Sequence, residues 1–387
     1  MSTKAKKLAK YSEFQEILGK ELPINAARVK FIVLLITALI KVQSVNYERL
    51  AEGFDNPVEL SSNLRRIQRF FAKFALESNL IARLLFKLLP FCGPYSLTLD
   101  RTNWKFGQRN INILVLGVIC RGTALPLLWT FLGDKRGNSD QNERIALMNR
   151  YIELFGVHTI GFLTADREFI GQDWWQFLIT RQIRFFIRMR ENMQVYIPKK
   201  GMTKACWLFH NLPLNTAYHY PKIVQVNGNW VYLSALRYVN QKGNIEYLIV
   251  ASFDRNCQSL DFYAQRWQIE TMFKAFKTAG FNMEDTHLTD YERLDKLLMI
   301  IALAFIWAYK VGIFRNNTVR ALKIKKHGRL EKSFFAYGLE WLAQVFINAF
   351  TELMQKLTLA FLSCTYKKGV KRLVLFCEPN HQLPHEC

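Results

Sequence analysis

A chain of 387 residues, half of them hydrophobic, can bury a large core and is too long for one average domain, so two or three units are expected. The net charge of +22 excludes an acidic or neutral surface and indicates a polyanionic partner, with membrane surfaces and ribosomes as rival explanations to DNA. Low-complexity tracts, Pro-rich linkers and internal repeats are absent from the sequence, so we expect the units to pack together.

Membrane and secretory signals are weak in this sequence. The longest apolar stretches, residues 31–40 and 297–309, fall short of the roughly 20 residues that span a bilayer, so they predict buried helices. The first ten residues are basic and no apolar segment follows before Asn25, which argues against a signal peptide. Seven scattered cysteines without a Cys-x-x-Cys pair fit reduced thiols in a cytosol better than disulfides or a zinc site.

The first ninety residues have a helical pattern. Asn46 can cap one short helix, and Pro57 suits the first turn of the next helix, predicted at 58–74. Two short helices joined by such a turn form a plausible helix-turn-helix. The second of them carries side chains of the kinds that contact phosphates and base edges: Ser61, Ser62, Asn63, Arg65, Arg66 and Arg69. We therefore expect residues 1–90 to bind DNA, the alternative being an ordinary helical bundle with a basic solvated face.

From Tyr95 onward the pattern changes to strands. Three strands precede the first helix, and two more follow with a helix between them, at 96–100, 111–120, 125–132, 158–165 and 184–190. The intervening helices are predicted to run from about 138 to 155 and from 169 to 181. The order βββαβαβ differs from the steady alternation of a doubly wound sheet. It predicts an α/β fold with a mixed, ribonuclease H-like sheet flanked by helices.

Residues 193–252 interrupt this pattern with a β-rich insertion. Asn227-Gly228-Asn229 and Lys242-Gly243-Asn244 are hairpin turns between its predicted strands. Helix resumes near Ser259 and continues to about Ala279, where Gly280 ends it. The catalytic domain is therefore expected to be split into 91–192 and 253–320, followed by a C-terminal helical region at 321–387.

Three acidic residues stand where they can meet. Asp100 ends the first predicted strand and Asp166 ends the fourth, and these strands are neighbours in a ribonuclease H-like sheet. Glu270 lies on the helix after the insertion. Converging carboxylates suit Mg²⁺, and two such ions about 3.5–4 Å apart can activate a nucleophile and stabilise a leaving oxygen at a phosphodiester. Each acid alone could equally be a solvated loop carboxylate, and four other acids compete without ending a buried apolar strand: Asp134, Asp140, Asp173 and Asp254.

The helix around Glu270 carries a polar stripe. Tyr263, Arg266, Glu270 and Lys277 are three, four and seven residues apart and share one face. A surface helix with salt bridges from Glu270 to Arg266 and Lys274 is the plain interpretation. The spacing Tyr-x2-Arg-x3-Glu-x6-Lys, however, resembles the YREK signature of bacterial insertion-sequence transposases, the DDE cut-and-paste group that includes hairpin-forming enzymes.

The resemblance covers roughly residues 95–310, with a β-rich insertion where that group carries one. It continues through four further motifs: Leu99-Asp100-Arg101-Thr102-Asn103-Trp104, Gly137-Asn138-Ser139, Asp166-Arg167-Glu168-Phe169 and Asp285-Thr286-His287-Leu288. It implies that Asp100, Asp166 and Glu270 are the catalytic metal ligands, for Mg²⁺ with Mn²⁺ as a possible substitute.

The resemblance also implies which side chains contact DNA. Arg266 and Lys277 would bind phosphates at the transposon end, and the Tyr263 hydroxyl would join them. Trp267 would stack on DNA at a flipped end, unless it is a core tryptophan. In the insertion, two tryptophans are candidates for the pocket of a flipped base: Trp207 and Trp230.

The function implied is a DNA transposase that cleaves transposon ends and transfers strands into target DNA. It would work as a homodimer holding two ends, with its C-terminal helices as a possible contact, in the bacterial cytosol at the nucleoid. Two alternatives stay open: a ribonuclease H-like nuclease without strand transfer, and a non-catalytic DNA-binding regulator descended from a transposase. Strand-transfer products on DNA that contains a transposon end would distinguish the transposase from the nuclease and from the regulator.

Overall fold

Helices surround one large sheet in the computed structural model, which describes residues 12–134, 137–326, 328–348 and 351–362. The sequence expectations for 363–387 lie outside these residues. The helices are α1 (Ser12–Glu21), α2 (Ala26–Val42), α3 (Tyr47–Glu52), α4 (Leu60–Lys73), α5 (Ser78–Lys87), α6 (Gln141–Phe155), α7 (Gln172–Thr180), α8 (Ser259–Ala264), α9 (Gln268–Lys277), α10 (Tyr291–Thr318), α11 (Phe334–Asn348) and α12 (Thr351–Leu362). The strands are β1 (Tyr95–Phe106), β2 (Arg109–Cys120), β3 (Thr123–Phe131), β4 (Ile160–Ala165), β5 (Phe185–Met189), β6 (Gln194–Ile197), β7 (Gly201–Lys204), β8 (Ala217–His219), β9 (Val224–Val226), β10 (Asn229–Val239) and β11 (Ile245–Ser252).

The strand order confirms the predicted mixed sheet. Strands run β3-β2-β1-β4-β5 across the catalytic half. The first three are antiparallel neighbours, while β4 is parallel to β1 and β5 is parallel to β4. This is the ribonuclease H-like arrangement, in which a meander of three strands is extended by helix-connected ones.

The β-rich insertion continues the same sheet. Strand β11 pairs antiparallel with β5, and the order then proceeds β10-β9-β6-β7, with β8 also on β10. The predicted hairpin at Asn227-Gly228 is present, because both residues have positive φ and join β9 to β10 in a two-residue turn. The backbone of the insertion is therefore hydrogen-bonded to the catalytic strands.

Strand β1 extends past the expected end at Asp100. Its pairing with β2 runs on to Phe106 and Arg109, where Gly107, at φ +56°, closes a two-residue turn. What ends near Asp100 is the ladder between β1 and β4, whose last pair is Leu99 with Ala165. Asp100 thus lies within a strand because β2 supports it on one side, although β4 no longer does so on the other.

The N-terminal helices share one hydrophobic core with the sheet and the C-terminal helices. Phe14 of α1 packs against Trp307 of α10 with ring centroids 4.1 Å apart, and Trp307 also contacts Phe361 of α12. Helix α2 is buried along most of its length. Asn46 caps α3 as predicted, its side chain accepting from the backbone N–H of Glu48. Removing residues 1–90 would consequently expose this core.

Helix α10 is the central helix of this core. It has 28 residues and is therefore longer than the apolar stretch at 297–309 from which it was predicted. Its length and hydropathy are sufficient to cross a membrane. The sharply bent pair of α1 and α2 passes the same test when taken together. Yet 94% of the apolar window of α10 is buried inside the protein. Its apolar surface is therefore satisfied by neighbouring helices and strands.

Candidate active site

The two aspartates follow a pair of hydrogen-bonded residues on adjacent parallel strands. Leu99 of β1 pairs with Ala165 of β4, and Asp100 and Asp166 come directly afterward. Asp166 then leads into a 3₁₀ turn at Arg167–Phe169, whose Phe169 N–H donates to the Asp166 carbonyl at 3.0 Å. The sheet therefore brings these two carboxylates to one edge, as the sequence predicts.

Asp100 is a strongly perturbed acid. Its side chain is only 18% exposed, and burial raises its pKa to about 6, with smaller contributions from the negative charges of Glu168 and Asp166. The backbone N–H of Arg101, which donates to Asp100 Oδ1 at 2.7 Å, and the charge of Arg266 act in the opposite direction. Negative charge is thus concentrated around Asp100, where burial limits its hydration.

The helix that carries Glu270 is broken, contrary to the single helix expected from 259 to 279. Helix α8 is followed by a 3₁₀ turn at Gln265–Trp267 and then by α9. The two helices pack on different strands, α8 on β5, β10 and β11 and α9 on the β1–β3 meander, which accounts for the interruption between them. Gln268 anchors the start of α9 by accepting from the Gly122 N–H at 3.0 Å, which leaves Glu270 on the outer face.

Arg266 connects two of the three acids. Its guanidinium donates to Asp100 Oδ2 at 3.0 Å and to Glu270 Oε1 at 2.6 Å, and its side chain is 14% exposed. Tyr263 donates its hydroxyl to Asp166 Oδ1 at 3.3 Å, and burial raises the pKa of this phenol, which keeps it a donor. Two residues of the polar stripe, Tyr263 and Arg266, therefore face the aspartates.

The three acids do not converge on one point. Among the described residues, no three Asp, Glu, His or Cys side chains are arranged to hold a metal ion. Asp100 and Asp166 are neighbours, while Glu270 reaches Asp100 through the Arg266 guanidinium. The metal-ligand role of the three acids stays a prediction.

The competing acids have structural partners. Asp140 caps α6 in a capping box with Glu143, and Asp254 pairs with Arg184 at 3.0 Å. Asp134 accepts from the Asn110 N–H at 2.7 Å, and Asp173 accepts from Gln141 at 3.3 Å. The partners of these four acids lie outside the polar stripe, whereas Asp100 and Asp166 accept from Arg266 and Tyr263 of that stripe.

The remaining stripe and stacking residues differ in accessibility. Lys277 donates to the Asn103 carbonyl at 2.9 Å and pairs with Glu284 at 2.7 Å, so its ammonium is held beside β1. Trp267 is 47% exposed, so the core interpretation is wrong for it. Trp207 and Trp230 are exposed on the insertion, at 62% and 44%. Stacking on DNA stays a prediction for all three tryptophans.

Helix α4 presents its arginines to solvent. Arg65, Arg66 and Arg69 are exposed, although the Arg66 guanidinium also lies 5.2 Å from the centroid of the Phe31 ring. The helix begins at Leu60, two residues later than predicted at 58, so Pro57 precedes it and does not occupy its first turn.

Asn63 is corrected from a DNA-contact candidate to a buried structural residue. It is 3% exposed and exchanges side-chain hydrogen bonds with Asn56 at 2.9 and 3.1 Å. A buried amide needs such partners, and the loop before α4 supplies them.

The sequence patterns predict no role for Arg101, Glu168 or Arg144. The first two lie inside the motifs that carry the resemblance, which is the signal that could have identified them. Arg101 and Glu168 form a partly buried ion pair at 3.2 Å, directly beside the two aspartates.

The perturbed pKa of Asp100 predicts a pH-dependent stability in metal-free protein. Its folded-state pKa, about 6, exceeds the ordinary value of 3.8, so its contribution to stability is present below pH 3.8 and is lost as pH rises through 6. Asp100→Asn, which is neutral at every pH, should gain on wild type by up to about 3 kcal/mol between pH 4 and pH 8. Urea unfolding in EDTA measures this difference, and a constant difference across that range would contradict it.

A family model described as "Transposase DDE domain" matches residues 99–307, the segment that runs from β1 into α10 and contains all three acids. No curated protein matches the sequence. A cryo-EM structure of the piggyBac transposase synaptic complex with hairpin DNA is similar at 13% identity, over 93% of this chain and 78% of that one, with a TM-score of 0.43. The two chains are therefore only distantly alike.

Proposed function

Because the chain belongs to the transposase DDE domain family, we propose that it cuts DNA at transposon ends and joins the freed strands to target DNA. DDE transposases are DNA-binding enzymes that use divalent metal ions. The observation that carries the proposal is the link between the stripe and the acids: Arg266 contacts Asp100 and Glu270, and Tyr263 contacts Asp166. Two side chains from the segment around the 3₁₀ turn thereby contact every acid expected to take part in cleavage.

We assign Asp100, Asp166 and Glu270 as the ligands of Mg²⁺, with Mn²⁺ able to substitute. Their oxygen donors suit a hard cation, and the buried, acid-rich surroundings of Asp100 favour one. Divalent ions bound there supply activation of a nucleophile and stabilisation of the leaving oxygen.

Arg266 must change partners for Glu270 to join the aspartates, since its guanidinium now lies on both Asp100 and Glu270. A DNA phosphate is an anion that a guanidinium binds in the same forked geometry. Transfer of Arg266 from the carboxylates to an end phosphate would free the two acids. Binding of the correct DNA and completion of the catalytic site would then be coupled.

DNA contact is assigned to two surfaces. Arg65, Arg66 and Arg69 of α4 are exposed and suit base or phosphate contact, and footprinting of Arg65→Ala would test this. On the segment that carries Glu270, Lys277 provides a point charge for phosphate and Trp267 an exposed ring for stacking. The net charge of +22 supports a polyanionic partner of considerable size.

The finer assignment is to the YREK group of bacterial insertion sequences. Its support is the spacing of Tyr263, Arg266, Glu270 and Lys277, together with the insertion between β5 and α8. In that group a homodimer holds two ends in one synaptic complex, and a hairpin can form at each end. We propose the same for this chain, in the bacterial cytosol at the nucleoid.

A strand-transfer assay tests the proposed function. Purified full-length chain, a labelled duplex from one end of the element that encodes it, Mg²⁺ and a target plasmid should yield nicked ends and labelled plasmid. A duplex with a scrambled end sequence is the matched control and should yield neither product. Cut ends without labelled plasmid would replace the proposal by a nuclease, and binding without any cut would replace it by a regulator.

A further inference from the structure

Three motifs that carry the resemblance meet in one polar network behind the aspartates. We propose that Arg101 and Glu168 form a clamp, defined as this ion pair, that fixes the spacing between Asp100 and Asp166. The inference rests on the proposed function of the two aspartates as metal ligands. It assigns to Arg101 and Glu168 a positioning role, exerted through the residues next to them.

The clamp has the two-pronged geometry of a strong ion pair. Arg101 Nε donates to Glu168 Oε1 and Nη2 donates to Oε2, both at 3.2 Å. The side chains are only 14% and 19% exposed, so water competes weakly for them. Two parallel hydrogen bonds restrain orientation as well as distance.

The clamp residues are close in sequence to the two aspartates, so their ion pair can affect the positions of both. Arg101 directly follows Asp100 in β1, and Glu168 is two residues beyond Asp166. The hydrogen-bonded ladder between β1 and β4 ends at Leu99 and Ala165, just before the two aspartates. Beyond the last pair of this ladder, the side-chain ion pair of the clamp connects the two chain segments.

Arg101 is itself held by the second motif. Its Nη1 donates to Asn112 Oδ1 at 3.2 Å and its Nη2 to Asn138 Oδ1 at 3.3 Å. Asn112 is fully buried on β2, and its amide donates to the Gly137 carbonyl at 3.1 Å. The guanidinium is therefore tied to β2 and to the loop before α6, and its orientation is set before any ligand binds.

The turn after Asp166 is secured from the other side by Arg144. This buried guanidinium lies 5.1 Å from the centroid of the Phe169 ring and donates to the Ile170 carbonyl at 3.4 Å. It also donates to both Ser139 Oγ and the Ser139 carbonyl, which connects the turn to the same loop. Asp166 thus precedes a turn that is anchored at Glu168, Phe169 and Ile170.

A positioning role explains this arrangement better than a gain in stability. Ion pairs of this kind contribute little net stability, because desolvation offsets most of the attraction. Partners that orient metal ligands, in contrast, typically change metal affinity or activity by about 10- to 100-fold when they are removed. Arg101 and Glu168 carry opposite charges and lie one residue after Asp100 and two residues after Asp166. Their ion pair is therefore placed to orient both aspartates.

Mn²⁺ binding tests the clamp with a readout that is independent of turnover. The EPR signal of free Mn²⁺ is followed as the full-length chain is titrated in the presence of end duplex, with duplex alone as the blank. Arg101→Ala and Glu168→Gln should each raise the dissociation constant for Mn²⁺ by about 10- to 100-fold. Affinity for the end duplex in EDTA should stay within a few-fold of wild type, and Glu168→Gln retains the shape of the turn should Arg101→Ala fold poorly.

Rescue and control variants separate positioning from general packing. The exchanged pair Arg101→Glu with Glu168→Arg should recover part of the lost affinity, whereas Arg101→Lys, with no planar fork, should recover little. Arg184→Ala breaks the similarly close pair between Arg184, just before β5, and Asp254, just after β11, and should bind Mn²⁺ as wild type does.

Two outcomes would overturn the clamp. If Glu168→Gln and Arg101→Ala bind Mn²⁺ normally while Asp100→Asn does not, the site assignment holds and the clamp alone is wrong. If Asp100→Asn also binds Mn²⁺ normally, the site assignment fails and the clamp fails with it.

Discussion

Glu270→Gln should abolish DNA cleavage while leaving DNA binding intact. Glutamine keeps the shape of the side chain and removes the charge that a divalent ion requires, and Glu270 is exposed enough that the fold does not depend on it. Loss of one ligand charge at the reacting phosphate removes several kcal/mol of transition-state stabilisation, so the rate should fall by at least about 1,000-fold. Single-turnover cleavage of a labelled end duplex, with binding measured separately in EDTA, checks both halves of the expectation.

Glu340→Gln is the matched control for this variant. Glu340 is also a half-exposed, ion-paired glutamate on a helix, 2.7 Å from Lys332, and it has no assigned part in cleavage. It should cleave as wild type does. Cleavage by Glu270→Gln at a tenth of the wild-type rate or more would remove Glu270 from the proposed metal ligands.

Gly338→Ala should be among the most destabilising single-methyl additions in the chain. Helices α10 and α11 cross at Gly312 and Gly338, and a Cβ on Gly338 would overlap the Ala308 carbonyl oxygen and lie 2.9 Å from its carbon. Backbone cannot rotate away as a side chain can, so the helices must separate. We expect a loss of about 3 kcal/mol or more, because separation also opens gaps in the core.

Urea denaturation measures the effect, and Gly19→Ala supplies the contrast. Gly19 lies in helix α1, and a Cβ added there meets no atom within 4 Å. Alanine is the better helix former, so this variant should be neutral or stabilised by up to about 1 kcal/mol. Equal denaturation midpoints for Gly338→Ala and wild type would show that the helix crossing is looser than described.

The part of the site that could be predicted from sequence is the part encoded locally. Runs of β-branched and apolar residues mark buried strands, and an acid directly after such a run lies at a sheet edge, which located Asp100 and Asp166. The helical spacing from Tyr263 to Glu270 likewise placed the stripe on one face. Local patterns of this kind report burial and direction.

The parts that escaped prediction depend on distant partners. Arg266 was expected to bind phosphate, and its contact with Asp100 joins residues 166 positions apart. The break between α8 and α9 depends on which strands each helix packs against, which no spacing encodes. Asn63 was misassigned because its amide bonds equally well to a base edge or to Asn56.

The shared core has a consequence for the distance between the recognised DNA sequence and the cut. Helix α4 buries Ile67 and Phe71 in that core, and Lys296 of α10 donates to the Phe74 carbonyl at its end at 3.0 Å. At the other end of α10, Tyr309 donates to the Cys120 carbonyl of β2, the strand that supports Asp100. The helix that carries the arginines and the strand that carries Asp100 are therefore connected through α10 and the same hydrophobic core. In the proposed function, each base pair inserted between the recognised sequence and the cut would displace the scissile phosphate from the aspartates by about 3.4 Å.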